Sequence, residues 1–357
     1  MRARSGSLAL RVLPSASGAD ESVSGNALLT FDAGDGARVR RDAGTGVPVA
    51  TMPCPSLGPH VPLETWALEE GHAADPEEVR GGPFVARRLG AFLAGAATFD
   101  ADPLEDGTDA VYRALFELLD THGMHLVRVW NAVPRIGERA LVSGTEMDRY
   151  MRFCRARSRA FESAFGTGFD RHLSAASAVG AQGEHGLVAF LAAREPGRRV
   201  SNPRQEEAWR YPARYGPRSP SFARATRLSA SSGGGLLVSG TASIVGSESL
   251  HVGDLDGQLV ETVSNLEAVL RAAGIERASR PLEALDVLRV YVKDPSHLHA
   301  LRRGLLPLVR SDAVVHWQQA AICRPELLVE IEGVALSGLR RIVAGSETTR
   351  SSTVPTR

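Results

Sequence analysis

The sequence predicts an α+β protein built in two lobes, with mixed sheets and helices packed on one face. Three observations carry this. The chain has 357 residues, enough for about two domains. Its apolar residues alternate with period two in some stretches and recur at helical spacing in others. From about residue 225 the elements read strand, helix, strand, helix, strand, strand, an order that suits a mixed or antiparallel sheet with helices on one side.

Taken in order, residues 1–60 are strand- and loop-rich: LALRVLP and NALLTFDAG alternate, punctuated by Gly and Pro. GTDAVYRALFELLDTH (107–122) carries Val111, Leu115, Leu118 and Leu119 at helical spacing, with Thr108 or Asp109 placed to cap it. HLVRVWNAVP (125–134) reads as a strand stopped by Pro134. TEMDRYMRFCRARSRAFESAFG (145–166) reads as a helix opened by Thr145 and closed by Gly166. LVAFLAAR (187–194) is another strand.

Residues 201–224 break the pattern, with four Pro and the aromatics Trp209, Tyr211, Tyr215 and Phe222 set among Arg. A loop longer than about 12–15 residues is usually functional or disordered, and the aromatics argue against disorder. Beyond it come strand 234–245, helix 255–275 ending at Gly274, strand 282–294, and helix 295–309 with Pro295 near its first turn. AVVHWQQAAIC and LLVEIEG complete the sheet. The expected organisation is an N-terminal lobe, 1–224, that includes the Arg/Tyr loop, a C-terminal lobe, 225–344, and a disordered tail, 345–357.

Lys plus Arg and Asp plus Glu each number 41, so the formal net charge is zero, which argues against a nucleic-acid partner. Lys293 is the only lysine. An anion site here must therefore be built from Arg, which can grip a carboxylate with two N–H groups at once. Cys54, Cys154 and Cys323 are far apart with no CxxC spacing, which argues against a disulfide framework or zinc site. No apolar run approaches about 18 residues, so no membrane span is expected. The N-terminus lacks the apolar core and cleavage site of a secretion signal, and the expected setting is cytoplasmic.

Gly233–Gly235 precede a strand, the reverse of a dinucleotide fingerprint, and His297 and His299 point apart on a helix. No cofactor or metal is expected. Arg204, Arg210, Arg214 and Arg218 interleave with Tyr211 and Tyr215. Either this loop is pinned by Arg stacking across a domain interface, or it lines a pocket for a small dicarboxylate. Tyr150 and Arg157 are seven apart on one helix face and, with Arg204, would complete such a pocket. In CRPELLVEIEGVA (323–335), alternation places Glu330 and Glu332 on one strand face. Spacing alone favours solvent exposure for both. Under an apolar roof, such a carboxyl would keep its proton and serve as a general acid.

LLVSGTASIVG, ETVSNLEAVLRAAG, VYVKD and LLVEIEG together resemble the YjgF/chorismate-mutase-like fold over residues 230–340. RVWNAVP, YMRFCRARSRAFESAFG and NPRQEEAWRYPARYGPRSPSFARAT are more specific, and the chain resembles the chorismatase family over about residues 125–340. The resemblance implies an enzyme that releases pyruvate from chorismate. It implies that Glu330 is the catalytic acid and that Tyr150, Arg157, Arg204 and Tyr211 hold the substrate carboxylates, with Tyr215 and Arg218 as further contacts. Val314 stands where simple YjgF-like deaminases carry a carboxylate-binding Arg, so the resemblance does not extend to their chemistry. In the family a Gly and a Cys at the positions of Gly240 and Cys323 accompany formation of 3-hydroxybenzoate, whereas Ala is typical of hydrolytic members that form a trans-dihydrodiol. Both residues point to the 3-hydroxybenzoate type. A non-catalytic YjgF-like ligand-binding protein is the reading from another class. Two lobes in one chain are compatible with a monomer.

Overall fold

The computed structural model describes residues 8–13, 26–58, 63–68, 75–275 and 280–336. The tail expected at 345–357 lies outside them. Three sheets carry the fold. The N-terminal sheet orders its strands Leu8–Leu13, Leu63–Leu68, Ala27–Ala33, Pro48–Met52, Arg38–Arg41. The central sheet orders Ala175–Ala181, His125–Pro134, His185–Ala193, Phe92–Asp100, Phe84–Leu89, Glu77–Gly81. The C-terminal sheet orders Arg198–Val200, Ala225–Arg227, Leu236–Thr241, Val329–Ala335, Val287–Val292, Val314–Gln319. Each is mixed, with one parallel pair among antiparallel neighbours.

Helices α1 (Leu104–Thr121) and α2 (Arg149–Phe165) share a core with the central sheet, while α3 (Leu255–Ala272) and α4 (Leu298–Leu305) share one with the C-terminal sheet. Strand alternation then decides what the other faces do. Along His125–Pro134, Val129 and Val133 enter the core with α1 and α2, and Trp130 and Ala132 face the N-terminal sheet. Along Val329–Ala335, Val329 and Ile331 enter the core with α3 and α4. Glu330 and Glu332 therefore point away from those helices, toward the central sheet. The class is α+β as expected, with helices on one face of each six-stranded sheet. The exposure favoured for the two glutamates is overturned: Glu330 is 4% and Glu332 5% exposed, because a second sheet lies over the face that alternation reserves for polar residues.

Local boundaries differ where caps and prolines override periodicity. Helix α1 begins at Leu104 after Pro103, and neither Thr108 nor Asp109 caps it; Thr108 is buried inside the helix and Asp109 pairs with Arg113 one turn on. Thr145–Asp148 forms a hairpin with Arg139–Val142, and Asp148 rather than Thr145 caps α2, accepting from the Met151 amide at 2.7 Å. Gly166 ends α2 at φ 67°, as expected of a residue free of a β-carbon. The helix expected over 295–309 splits into α4 flanked by 3-10 turns, since Pro307 offers no N–H. Strand Arg198–Val200, upstream of the expected lobe boundary, pairs into the C-terminal sheet. Residues 201–224 form two 3-10 turns tied down by Glu206 N–H to Gly246 O at 2.9 Å and Asn202 Nδ2 to Asn265 O at 2.9 Å.

Candidate active site

Glu332 sits among partners drawn from all over the chain. It accepts from Arg128 Nη2 at 2.6 Å, Trp130 Nε1 at 2.8 Å, Tyr291 OH at 3.3 Å and Ser177 Oγ, and Arg289 Nη1 lies 3.5 Å away. Burial opposes its ionisation. The Arg128 and Arg289 charges with the Ser177 and Trp130 hydrogen bonds outweigh that, holding the carboxyl below the ordinary range. Glu330 is as deeply buried but has no ion pair among the described residues. Burial, then the charge of Glu332, push it up to about 8, against a smaller opposing effect of Arg128. Two carboxyls two residues apart thus hold different charges at neutral pH: a fixed anion and a neutral acid.

Glu330 opens into a cavity of about 240 Å³ and a smaller inner chamber of about 40 Å³. Gly240, Cys323, Tyr150 and Phe222 line both. Arg157 closes the inner chamber, stacked over Tyr112 and Phe161 at 5.0 and 5.5 Å, and its Nε and Nη2 are buried with no hydrogen-bond partner. In the outer cavity Arg324 lies over Tyr215 at 3.8 Å; its Nη1 donates to Ser247 O at 2.9 Å, and its buried Nη2 has no partner. Arg224 donates from Nη2 to Tyr211 OH at 2.7 Å, leaving Nε unpartnered. Guanidinium nitrogens with unmet donors around an apolar cavity are what a carboxylate-bearing ligand would satisfy. Burial and neighbouring thiols hold the Tyr150 phenol far above its usual range, and burial likewise raises the Cys323 thiol, so both are neutral.

The sequence-level candidates divide. Glu330, Tyr150, Arg157, Tyr211, Tyr215, Gly240 and Cys323 come together around these two chambers. Arg204 does not: its Nη2 pairs with Glu261 on α3 at 2.6 Å, and its neighbour Gln205 faces the cavity instead. Arg218 points outward to Glu162 at 2.6 Å, spanning from the loop to α2. The irregular 3-10 turns of the loop give it no fixed period, so which side chains turn inward could not be read from spacing. Sequence pattern does not single out Arg324, Arg224 or Ser177; Arg324 directly follows Cys323 but lies outside the Arg-rich loop.

Residues 64–192 match the family model described as chorismatase FkbO/Hyg5-like, N-terminal. A 3-hydroxybenzoate synthase of Streptomyces hygroscopicus is 40% identical over 244 residues, covering 65% of this chain and 69% of the relative. A chorismatase of Streptomyces rapamycinicus is 35% identical over 309 residues, covering 82% of this chain and 90% of the relative. A chorismatase crystal structure superposes with a TM-score of 0.81 at 30% identity, covering 92% of this chain and 98% of that one.

Proposed function

Since this chain belongs to the chorismatase family, we propose that it converts chorismate to 3-hydroxybenzoate and pyruvate with Glu330 as the proton donor. The observation that carries this reading is the contrast between Glu330, buried at the wall of an Arg-lined cavity with no ion pair among the described residues, and Glu332 beside it, held by Arg128, Arg289, Trp130 and Ser177. Chorismate carries two carboxylates and an enol ether. Arg157 would take one carboxylate in the inner chamber, with Arg324 and Arg224 for the other; Tyr150 and Tyr211 supply aromatic walls and hydroxyls, and Tyr215 a wall only, since its hydroxyl donates to Glu248 at 2.9 Å. Neither Arg204 nor Arg218 has a place in this scheme, since each is committed to a carboxylate elsewhere.

Glu330 passes its proton to the enolpyruvyl methylene, which becomes the methyl of pyruvate, through an oxocarbenium ion. The fixed charge of Glu332 behind it favours that cation, and the apolar walls limit water. The ether oxygen leaves with the electrons of its bond to the ring and becomes the ketone oxygen of pyruvate, while the neighbouring ring hydroxyl oxygen bonds to the vacated carbon as a protonated epoxide. Its bond to its original carbon then breaks, so the hydroxyl ends on the former ether carbon with its own proton. The ring proton lost on aromatisation returns to the Glu330 carboxylate. The two products then contain all the atoms of chorismate, with no water added.

Gly240 and Cys323 favour this outcome over hydrolysis, and so does the relative named as a 3-hydroxybenzoate synthase. A β-carbon at position 240 would displace the Glu330 carboxyl. One chain supplies every group in the scheme, so it needs no second copy. Incubation with chorismate and chromatography of the products tests the reading. It stands if 3-hydroxybenzoate and pyruvate form in equal amounts; it falls if a dihydrodiol forms in their place, which is the hydrolytic outcome, or if no pyruvate is released.

A further inference from the structure

Behind Glu332 the buried polar groups continue into the N-terminal sheet. Arg289 donates from Nε to Glu64 Oε2 at 2.7 Å, and its Nη2 lies 2.7 Å from Glu64 Oε1, while Nη1 reaches Glu332. Trp66 Nε1 donates to Glu64 Oε1 at 2.9 Å, and Phe31 packs under the Arg289 guanidinium at 4.4 Å. Glu64 is 3% and Arg289 4% exposed. Two carboxylates, Glu64 and Glu332, thus face two guanidiniums, Arg128 and Arg289, in a closed set. His316, 3.7 Å from Glu64, stays out of the charge count because burial pushes it down to about 4. Nothing in the proposed chemistry touches Glu64.

We infer that Glu64 is a positioning residue for the reaction: by neutralising Arg289 it leaves Glu332 as an effective negative neighbour of Glu330, and so couples the N-terminal sheet to the acid. The inference rests on Glu330 being the proton donor. Without the Glu64 charge, Arg289 turns its full charge on Glu332 and Glu330, and a carboxyl near an uncompensated cation gives up its proton more easily.

The other groups facing Glu330 leave its titration readable. Glu332 lies on its own strand, Tyr291 and Arg289 on the neighbouring strand, and Arg128 on the central sheet. Tyr150, Cys154 and Arg157 face it from α2, and Cys323, with Arg324 beside it, from the segment before its strand. Burial keeps Tyr150, Tyr291, Cys154 and Cys323 protonated, and the arginines stay charged. Loss of activity above neutral pH therefore reports Glu330.

The test is the pH profile of kcat for pyruvate release by the full chain. In Glu64→Gln the alkaline limb moves down by about one pH unit; in Arg289→Gln, which leaves an extra negative charge, it moves up by about as much. Glu64→Gln combined with Arg289→Gln restores neutrality and returns the limb to its original place, and Glu64→Asp, which keeps the charge, leaves it there. A uniform loss of kcat with the limb unmoved in both single variants overturns the inference, as does a shift of both in one direction. If Glu64→Gln does not give a cooperative melt, Arg289→Gln and the double variant decide by the same criteria. Glu330→Gln separates the two readings: turnover that survives it removes the premise, whereas turnover that it abolishes, with the Glu64→Gln limb unmoved, removes this inference alone.

Discussion

A β-carbon built on Gly240 would overlap Oε1 of Glu330 and stand 2.8 Å from its carboxyl carbon. The backbone at Gly240 is not in the left-handed region, so a side chain there is opposed by this contact and not by backbone strain. In Gly240→Ala the Glu330 carboxyl must swing away from its present place. Turnover to 3-hydroxybenzoate is expected to fall roughly ten- to a hundredfold, since displacing a reacting group by an ångström has that scale of effect. The dihydrodiol should rise as a share of product. Chromatography that shows wild-type rate and product ratio would remove Gly240 from any role in product choice.

Glu330→Gln keeps shape and hydrogen-bonding capacity but has no acidic proton to transfer. Pyruvate release should fall by at least about a hundredfold with chorismate still bound. In the parent, the active form is the acid, so kcat holds at low pH and declines as pH rises through about 8. Steady-state rates across that range check this.

The same group links pH to stability. Folded Glu330 keeps its proton up to about pH 8, while the unfolded chain loses it near 4.5. The folded state binds the extra proton between those values, so this group's contribution is complete below them and is lost as pH rises. Glu330→Gln should melt at a higher temperature than the parent at pH 8, with the difference shrinking to nothing toward pH 4.5. Thermal melts at several pH values give the comparison; a constant offset would mean that Glu330 carries no unfavourable charge.

Arg324 and Arg204 should separate cleanly. Arg324→Lys removes the fork and the stacking plane over Tyr215, and KM for chorismate should rise at least about tenfold, with kcat less affected. Arg204→Ala breaks a pair with Glu261 outside the cavity and should leave KM within about twofold of the parent. Equal effects on KM would undo this division of roles.

Glu332→Gln leaves Arg128 and Arg289 facing a neutral group in the interior. Removing one partner of a buried ionic set typically costs about 3–5 kcal/mol, which urea denaturation would resolve. A change below about 1 kcal/mol would mean that the set is relaxed by hydration.

Much of the site could be read from local pattern. Tyr150 and Arg157 fall on one face of α2 because helical spacing requires it, and both line the inner chamber. Glu330 and Glu332 share a strand face for the corresponding reason. The Arg/Tyr loop could be recognised as a built segment, but the irregular backbone around Arg204, which has no repeating period, hid that Gln205 rather than Arg204 faces inward.

By itself the sequence determined the elements, the α+β class, the reliance on arginine for anions, and the pairing of two carboxyls on one strand. Only the tertiary structure decided that the pair is buried and that its members differ. Arg128 and Glu332 are 204 residues apart, and Glu64 meets Arg289 across 225. A carboxyl's charge depends on the cations, donors and water within a few ångströms of it. Three sheets from distant parts of the chain supply those neighbours, which give Glu332 its charge and leave Glu330 its proton.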